Sequence, residues 1–349
     1  MLDINVLADK ILDFLAEKIE TNYCVAVIIV GPPGSGKTTI SECVCEEINK
    51  RYQQHLRNQQ SYRPHPQGSS RDSLEIERLC QDIPILDSVE RRKLESGCFE
   101  NVENSHYTPH QFKDDDEDHS TVVVGRGGLP NSIRISSKKA SCNPREEEIK
   151  IAQIVPMDGF HLSRAHLDHF QDSIEAHVRR GSPPTFDSNN YLQLSKILAK
   201  SCSVKPHFSK NLKAGSGLFD KISASFSNEN PSISVPGFDH ALKDPSTDQH
   251  CITAFTRIIV LEGLYLLLNE ENWRNVYPVF KKTDAVLVWR LDLDIEQLED
   301  RVAKRHVASG LAPNLAAGVD RFRVNDLINA VKIREQSLDA EDIEVLSTA

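Results

Sequence analysis

Residues 31–38 read Gly31-Pro32-Pro33-Gly34-Ser35-Gly36-Lys37-Thr38, and every required position of the pattern G-x-x-x-x-G-K-[ST] is filled. From average residue usage, a chance match somewhere in a chain of 349 residues is on the order of one in a hundred. The flanks strengthen the match. Residues 23–30 form a short apolar run rich in β-branched side chains, the pattern of a strand buried on both faces of a parallel sheet. Residues 37–52 have helical composition. Strand, glycine-rich turn and helix is the order in which backbone N–H groups and a helix N-terminus converge on phosphate. The predicted ATP contacts are Gly31, Pro32, Pro33, Gly34, Ser35, Gly36, Lys37, Thr38 and Thr39. Lys37 is placed to reach the β- and γ-phosphates, and the Thr38 hydroxyl to ligate Mg²⁺.

Working outward, residues 149–155, 257–261 and 285–290 read as further buried strands, and residues 4–20, 190–200, 295–306 and 319–331 as helices. Alternating strands and helices predict an α/β fold of the P-loop NTPase type: a parallel sheet of about five strands with helices on both faces. Residues 53–148 differ in character, being rich in Gln, Ser, Asn, Pro and charge, with an acidic run at 114–118. They are expected to be an insertion after the first helix, partly disordered or a small subdomain, with one or two short helices in 72–95 and a strand at 121–124. Its ends must lie close together, so it is expected to be peripheral to catalysis and replaceable by a short linker. The polar stretch 201–234 reads as a second loop insertion. The core is then residues 1–52 and 149–349.

Charge and composition exclude several functions. With 41 Lys and Arg against 51 Asp and Glu, the net charge of −10 gives no general attraction for nucleic acid or an anionic membrane. No apolar run approaches the roughly 18 residues that suggest a membrane span. The acidic N-terminus does not resemble a signal or transit peptide, and eight cysteines without zinc spacing read as reduced thiols. A cytoplasmic protein with a small-molecule partner is expected.

A P-loop does not by itself choose among kinase, GTPase, motor and assembly ATPase. There is no Asn-Lys-x-Asp guanine-reading tetrapeptide and no long second ATPase domain with its own arginine-finger segment, so a small-molecule kinase leads. Behind the second strand stands Pro156-Met157-Asp158-Gly159-Phe160-His161. Ligands of open α/β sheets bind at the carboxyl ends of strands, so Asp158 is predicted to face the crevice beside the P-loop, where a carboxylate can take a hydroxyl proton or hold Mg²⁺. Arg301 and Arg305, four apart, share one helix face ahead of Ser309-Gly310.

Taken together, the P-loop, Met157-Asp158-Gly-Phe-His, Arg179-Arg180-Gly-Ser-Pro183-Pro-Thr-Phe186-Asp187, Phe238-Asp239-His-Ala-Leu-Lys-Asp-Pro245 and Leu261-Glu262-Gly-Leu-Tyr resemble the phosphoribulokinase, uridine kinase and bacterial pantothenate kinase superfamily. The greatest similarity is to a fungal group of ATP-dependent kinases of unassigned substrate, and it covers residues 1–52 and 149 to about 333. The resemblance implies that Asp158 contacts the acceptor hydroxyl, that Glu262 lies near Mg²⁺, and that Phe160, His161, Phe186, Asp187 and Asp239 belong to the acceptor side. It also implies a lid over about 290–330, whose Arg301 and Arg305 close over the transferring phosphoryl group. Lys37, Asp158, Glu262, Arg301 and Arg305 are thus the expected catalytic set. The implied acceptor is a nucleoside, a pantothenate-like alcohol or a sugar. Asp-Gly-Phe-His in place of the usual Asp-Ser-Phe-Tyr argues against uridine. The alternative is a nucleotide-dependent switch whose insertion recruits a partner, although a switch does not need an acceptor-side base such as Asp158.

Overall fold

The computed structural model describes residues 2–59, 76–95, 107–114, 120–136, 149–210, 212–226 and 230–347. The chain runs through α1 (Ile4–Lys18), β1 (Val25–Val30), α2 (Lys37–Asn58), α3 (Ile76–Cys80), α4 (Ser88–Glu95), β2 (His110–Lys113), β3 (Thr121–Val124), β4 (Ile133–Ser136) and β5 (Ala152–Pro156). It continues through α5 (Arg164–Leu167), α6 (Ser173–Val178), α7 (Ser188–Cys202), α8 (Leu218–Ala224), β6 (Ser232–Asp239), β7 (Asp244–Ile252) and β8 (Ile258–Gly263). It closes with α9 (Val276–Lys281), β9 (Val286–Asp292), α10 (Ile295–Ala308), α11 (Leu315–Arg321), a π-helical turn (Phe322–Asp326), α12 (Leu327–Gln336) and β10 (Ile343–Ser347).

The predicted α/β sheet is present: five parallel strands in the order β10-β9-β1-β8-β5. Central β1, Val-Ala-Val-Ile-Ile-Val, is buried at all six positions because both of its faces are covered. Strand alternation sorts its side chains. Val25, Val27 and Ile29 join Leu7, Ile11, Leu15, Val44 and Ile48 under α1 and α2, while Ala26, Ile28 and Val30 join a second core with Leu194, Ile197 and Phe280 of α7 and α9.

Register explains why residues distant in sequence meet at one edge of this sheet. Ile29 pairs with Glu262, and Glu262 pairs in turn with Pro156. Gly31, Glu262 and Asp158 therefore fall at the carboxyl ends of three adjacent strands, which lie about 4.8 Å apart.

Several boundaries differ from the sequence expectation. The helix after the phosphate-binding turn, α2, runs to Asn58, past the boundary drawn at 52, and the polar stretch 201–234 contains α8 and the start of β6. The described parts of 53–148 are built into the fold rather than looped off it. β2, β3 and β4 form an antiparallel sheet with β6 and β7, in the order β2-β3-β4-β6-β7. Val123, Ile133 and Ile135 are buried in the same core as Ile28 and Leu261. Removing such side chains costs about 2–5 kcal/mol apiece when they are large, so a short linker cannot stand in for this region without loss of stability. Most of the acidic run at 114–118 lies outside the described residues.

Candidate active site

The turn between β1 and α2 is shaped by glycine. Gly34 and Gly36 have φ values of +81° and +88°, and Gly36 is the N-cap residue of α2. L side chains rarely adopt that region. Gly34 also lies under the lid helix: a Cβ there would sit 2.6 Å from Val302 Cγ2 and 3.7 Å from Arg301 Cβ. The α10 face carrying Arg301 is thus packed directly on the phosphate-binding turn.

Lys37, with a side chain 12% exposed, points along the turn to Glu262 at the end of β8, 3.9 Å from Nζ to Oε1. The Thr38 hydroxyl donates to the same Glu262 oxygen at 3.2 Å. Burial pulls the Lys37 ammonium below its ordinary pKa, and Glu262 and Asp158 oppose that shift. Burial pushes the Glu262 carboxyl up to about 7, with Asp158 adding to the rise and Lys37 and Thr38 resisting it. Two carboxylates and one ammonium therefore act on each other within one cleft. Asp158 is the open member, with a side chain 49% exposed on the turn Met157–Phe160.

Mg²⁺ takes hard oxygen donors and is commonly held by one or two protein groups together with substrate phosphates and water. No cluster of three or more His, Cys, Asp or Glu side chains suited to a metal occurs among the described residues. The Thr38 hydroxyl and the Glu262 carboxylate are such a donor pair. A buried carboxylate titrating near 7 is also one whose charge a divalent cation would relieve. The residues fit the ion.

On the acceptor side, Gly159 lets the Asp158 turn approach β6, because a Cβ there would fall 2.0 Å from the Pro236 carbonyl oxygen. His161 Nδ1 donates to the Asp158 carbonyl at 2.9 Å, and burial holds the imidazole below its ordinary pKa. Its ring packs 4.0 Å from Phe186 and 5.0 Å from Phe238, centroid to centroid. Arg180 ties this wall to the β6–β7 hairpin by donating to Asp244 Oδ1 at 2.7 Å and to the Leu162 carbonyl at 2.9 Å.

Four expected acceptor residues have other roles in this conformation. Asp187 is fully buried: its carboxylate accepts the N–H groups of Gly127, at 2.7 Å, and Asn190, capping α7. Phe160 and Phe186 are likewise fully buried, in edge contact with Tyr191 and Tyr265 respectively. They support the wall from behind. Asp239 accepts the N–H groups of Ala241 and Leu242, as a turn residue would.

Comparison with known proteins shows the family. No family model matches the chain. The ATP-dependent kinase YFH7 of Lachancea thermotolerans is 59% identical over 343 residues, covering 98% of this chain and 97% of the relative. The chain belongs to the YFH7 family of ATP-dependent kinases. The Saccharomyces cerevisiae (strain JAY291) relative is 45% identical over 356 residues, covering 98% of both chains. The crystal structure of YFH7 from Saccharomyces cerevisiae, described as a P-loop containing kinase with a circular permutation, matches at a TM-score of 0.88, with 42% identity and all of both chains covered. A fructose transport system kinase structure from Silicibacter shares the fold alone, at a TM-score of 0.52 and 18% identity over 99% of this chain and all of the other.

Sequence reasoning missed one residue of this YFH7-family kinase altogether. Asn131, fully buried before β4, donates from Nδ2 to the carbonyls of Gly159 at 2.7 Å and His161 at 2.9 Å. It thereby brackets the turn that presents Asp158. The Asn190 amide holds the Asn131 carbonyl in turn, at 2.7 Å. Asn131→Ala leaves two carbonyls without a donor, at about 1–3 kcal/mol each. The expected result is a lower unfolding midpoint and impaired turnover with MgATP affinity within a few-fold of wild type, read by denaturant titration and calorimetry. Unchanged stability would show that the bracket is dispensable.

Proposed function

We propose that this ATP-dependent P-loop kinase transfers the γ-phosphoryl group to a hydroxyl of a small metabolite of nucleoside, pantothenate or sugar type. The observation that carries the reading is that Asp158, at a strand end and half open to solvent, belongs to the same electrostatic cluster as Lys37 and Glu262. In this reading the turn from Gly31 to Thr39 wraps the phosphates and Lys37 takes up charge on the β- and γ-oxygens. Asp158 orients the attacking hydroxyl and accepts its proton. Arg301 and Arg305 cover the equatorial oxygens from the lid, which packs around its own small core of Leu293, Leu298, Val302, Phe322 and Ala330. Thr38 and Glu262 would hold Mg²⁺, which would supply charge neutralisation on the phosphates. Neutral His161, with Nδ1 committed to the Asp158 carbonyl, presents Nε2 as an acceptor toward the substrate side. The division into a kinase core, 1–52 and 149–349, and a supporting region, 53–148, belongs to the same proposal.

The test is a screen of a metabolite pool for ATP-dependent phosphorylation by the wild type and by Lys37→Ala. Transfer to one hydroxyl compound by the wild type alone supports the reading, and transfer to a carboxylate or to protein would replace it.

Glu262 makes the metal assignment testable through pH. A carboxyl titrating at about 7 must lose its proton to ligate a cation, so the advantage that Mg²⁺ gives to ATP binding falls as pH drops below 7, by up to tenfold per unit. ATP itself titrates in this range, and Glu262→Gln supplies the control. The variant is expected to lose most of the Mg²⁺ advantage at pH 8 and to show only the titration of ATP between pH 8 and 6. A variant indistinguishable from wild type in nucleotide titrations with and without Mg²⁺ would remove Glu262 from the metal site.

A further inference from the structure

The loop that begins at Arg179 is fastened to the lid by side chains working in both directions. Arg179 Nη1 donates to the carbonyls of Val324, at 3.1 Å, and Asn325, at 3.2 Å, and to Asn325 Oδ1 at 2.6 Å. Its Nη2 donates to Asn329 Oδ1 at 3.1 Å. In return, Asn325 Nδ2 donates to the Arg180 carbonyl at 3.2 Å, and Asn329 Nδ2 to the Gly181 carbonyl at 3.3 Å. The Gly181 carbonyl also accepts from the hydroxyl of Tyr265, at 2.6 Å, which anchors the loop to the main core. Among the described residues no carboxylate lies within ion-pair distance of Arg179. A guanidinium whose bonds all go to neutral oxygens fixes geometry rather than balancing a charge, and its planar fork suits that task.

The lid side of this junction is a π-helical turn, Phe322–Asp326. Such turns distort a helix and are frequently found at functional sites. Asp326, next to Asn325, accepts from His306 Nε2 at 2.9 Å and lies 3.9 Å from Arg305 Nη2. The charges of Arg305 and Asp326 both reach Lys37. A continuous path thus runs from the acceptor loop through Arg179 and the π turn to Arg305, and from there to the phosphate site.

We propose that Arg179 is a positioning residue that couples the acceptor loop to the lid, holding the π turn so that Asp326 aims Arg305 at the γ-phosphate. The inference rests on the reading of Arg305 given above. An acceptor bound against the 179–187 loop would then be felt at the phosphoryl group without touching it.

The experiment compares MgATP with MgADP affinity, since only the former has a γ-phosphate for Arg305 to contact. Arg305→Ala is expected to reduce the preference for ATP by about tenfold or more, the loss expected for one charged phosphate contact. Arg179→Ala is expected to reduce the same preference by about three- to tenfold while leaving MgADP affinity unchanged, which a merely structural role would not do. Residues acting in series are not additive, so the double variant should match Arg305→Ala alone. Arg179→Lys, which keeps the charge but not the fork, should fall with Arg179→Ala, and it carries the test if the alanine variant does not fold. The coupling is overturned if Arg179→Ala keeps the wild-type preference, weakens MgADP equally, or adds fully to Arg305→Ala. If Arg305→Ala itself leaves the preference intact, the role of Arg305 is wrong and the coupling falls with it.

Discussion

Asp158→Asn is expected to bind MgATP within a few-fold of the wild type and to turn over roughly 10²- to 10⁴-fold more slowly, the usual range for a positioned acid or base. The separation follows from geometry. The side chain that changes is the one half open to solvent at the end of β5, whereas the groups that hold nucleotide belong to the β1–α2 turn. Asparagine preserves the shape and removes the charge. A loose phosphoryl-transfer transition state needs little proton removal early on, so part of the loss comes from orientation of the hydroxyl. Removing the Asp158 charge also relieves one of the influences that raise the Glu262 carboxyl, so the metal-side carboxylate should ionise more readily in the variant. ATP binding is therefore not expected to suffer. Steady-state kinetics with an identified acceptor, beside calorimetry with MgATP, read both halves, and near-normal turnover would reduce Asp158 to a turn residue.

Lys37→Ala should fail at both steps. Loss of a charged hydrogen bond to phosphate weakens ATP by about 10- to 150-fold. Where the same charge stabilises the transition state, loss of one preorganised donor costs about 10²- to 10³-fold in turnover. The structure adds a second penalty. Lys37 is the nearest positive charge opposing the burial that already raises Glu262 to about 7, so without it Glu262 stays protonated at neutral pH. The variant should then lose ATP affinity with and without Mg²⁺ and also much of the benefit of the metal, whereas Glu262→Gln loses chiefly the latter. Titrations at pH 8 distinguish the two, and an Lys37→Ala protein that binds ATP normally would displace Lys37 from the phosphates.

What was legible in the sequence is what is encoded locally. The turn from Gly31 to Thr38, and the carboxylates that follow apolar runs, could be read because strand, turn and chemistry lie within a dozen residues of one another. The capping role of Asp187 was legible too, since an Asp three residues before Asn190 at the head of a helical stretch is a cap signal. Asn131 could not be found that way, because its partners at Gly159 and His161 lie 28 and 30 residues downstream. The antiparallel sheet was hidden for a related reason. β7 reads Asp-Pro-Ser-Thr-Asp-Gln-His-Cys-Ile, with little apolar alternation, and β2 to β4 have four residues each. Their stability comes from partners elsewhere in the chain.

The order of strands has a consequence for how the chain is made. β1 leaves the ribosome more than 220 residues ahead of both strands that flank it, β8 and β9. At about 5–20 residues per second, that is a wait of roughly 10–50 s. Throughout it a six-residue apolar strand is synthesised with neither of its neighbours, and the phosphate-binding turn cannot be braced by Glu262 or covered by α10. Nucleotide binding is therefore a property of chains that already extend past α10, and ATP can stabilise only molecules that have threaded β1 between β8 and β9.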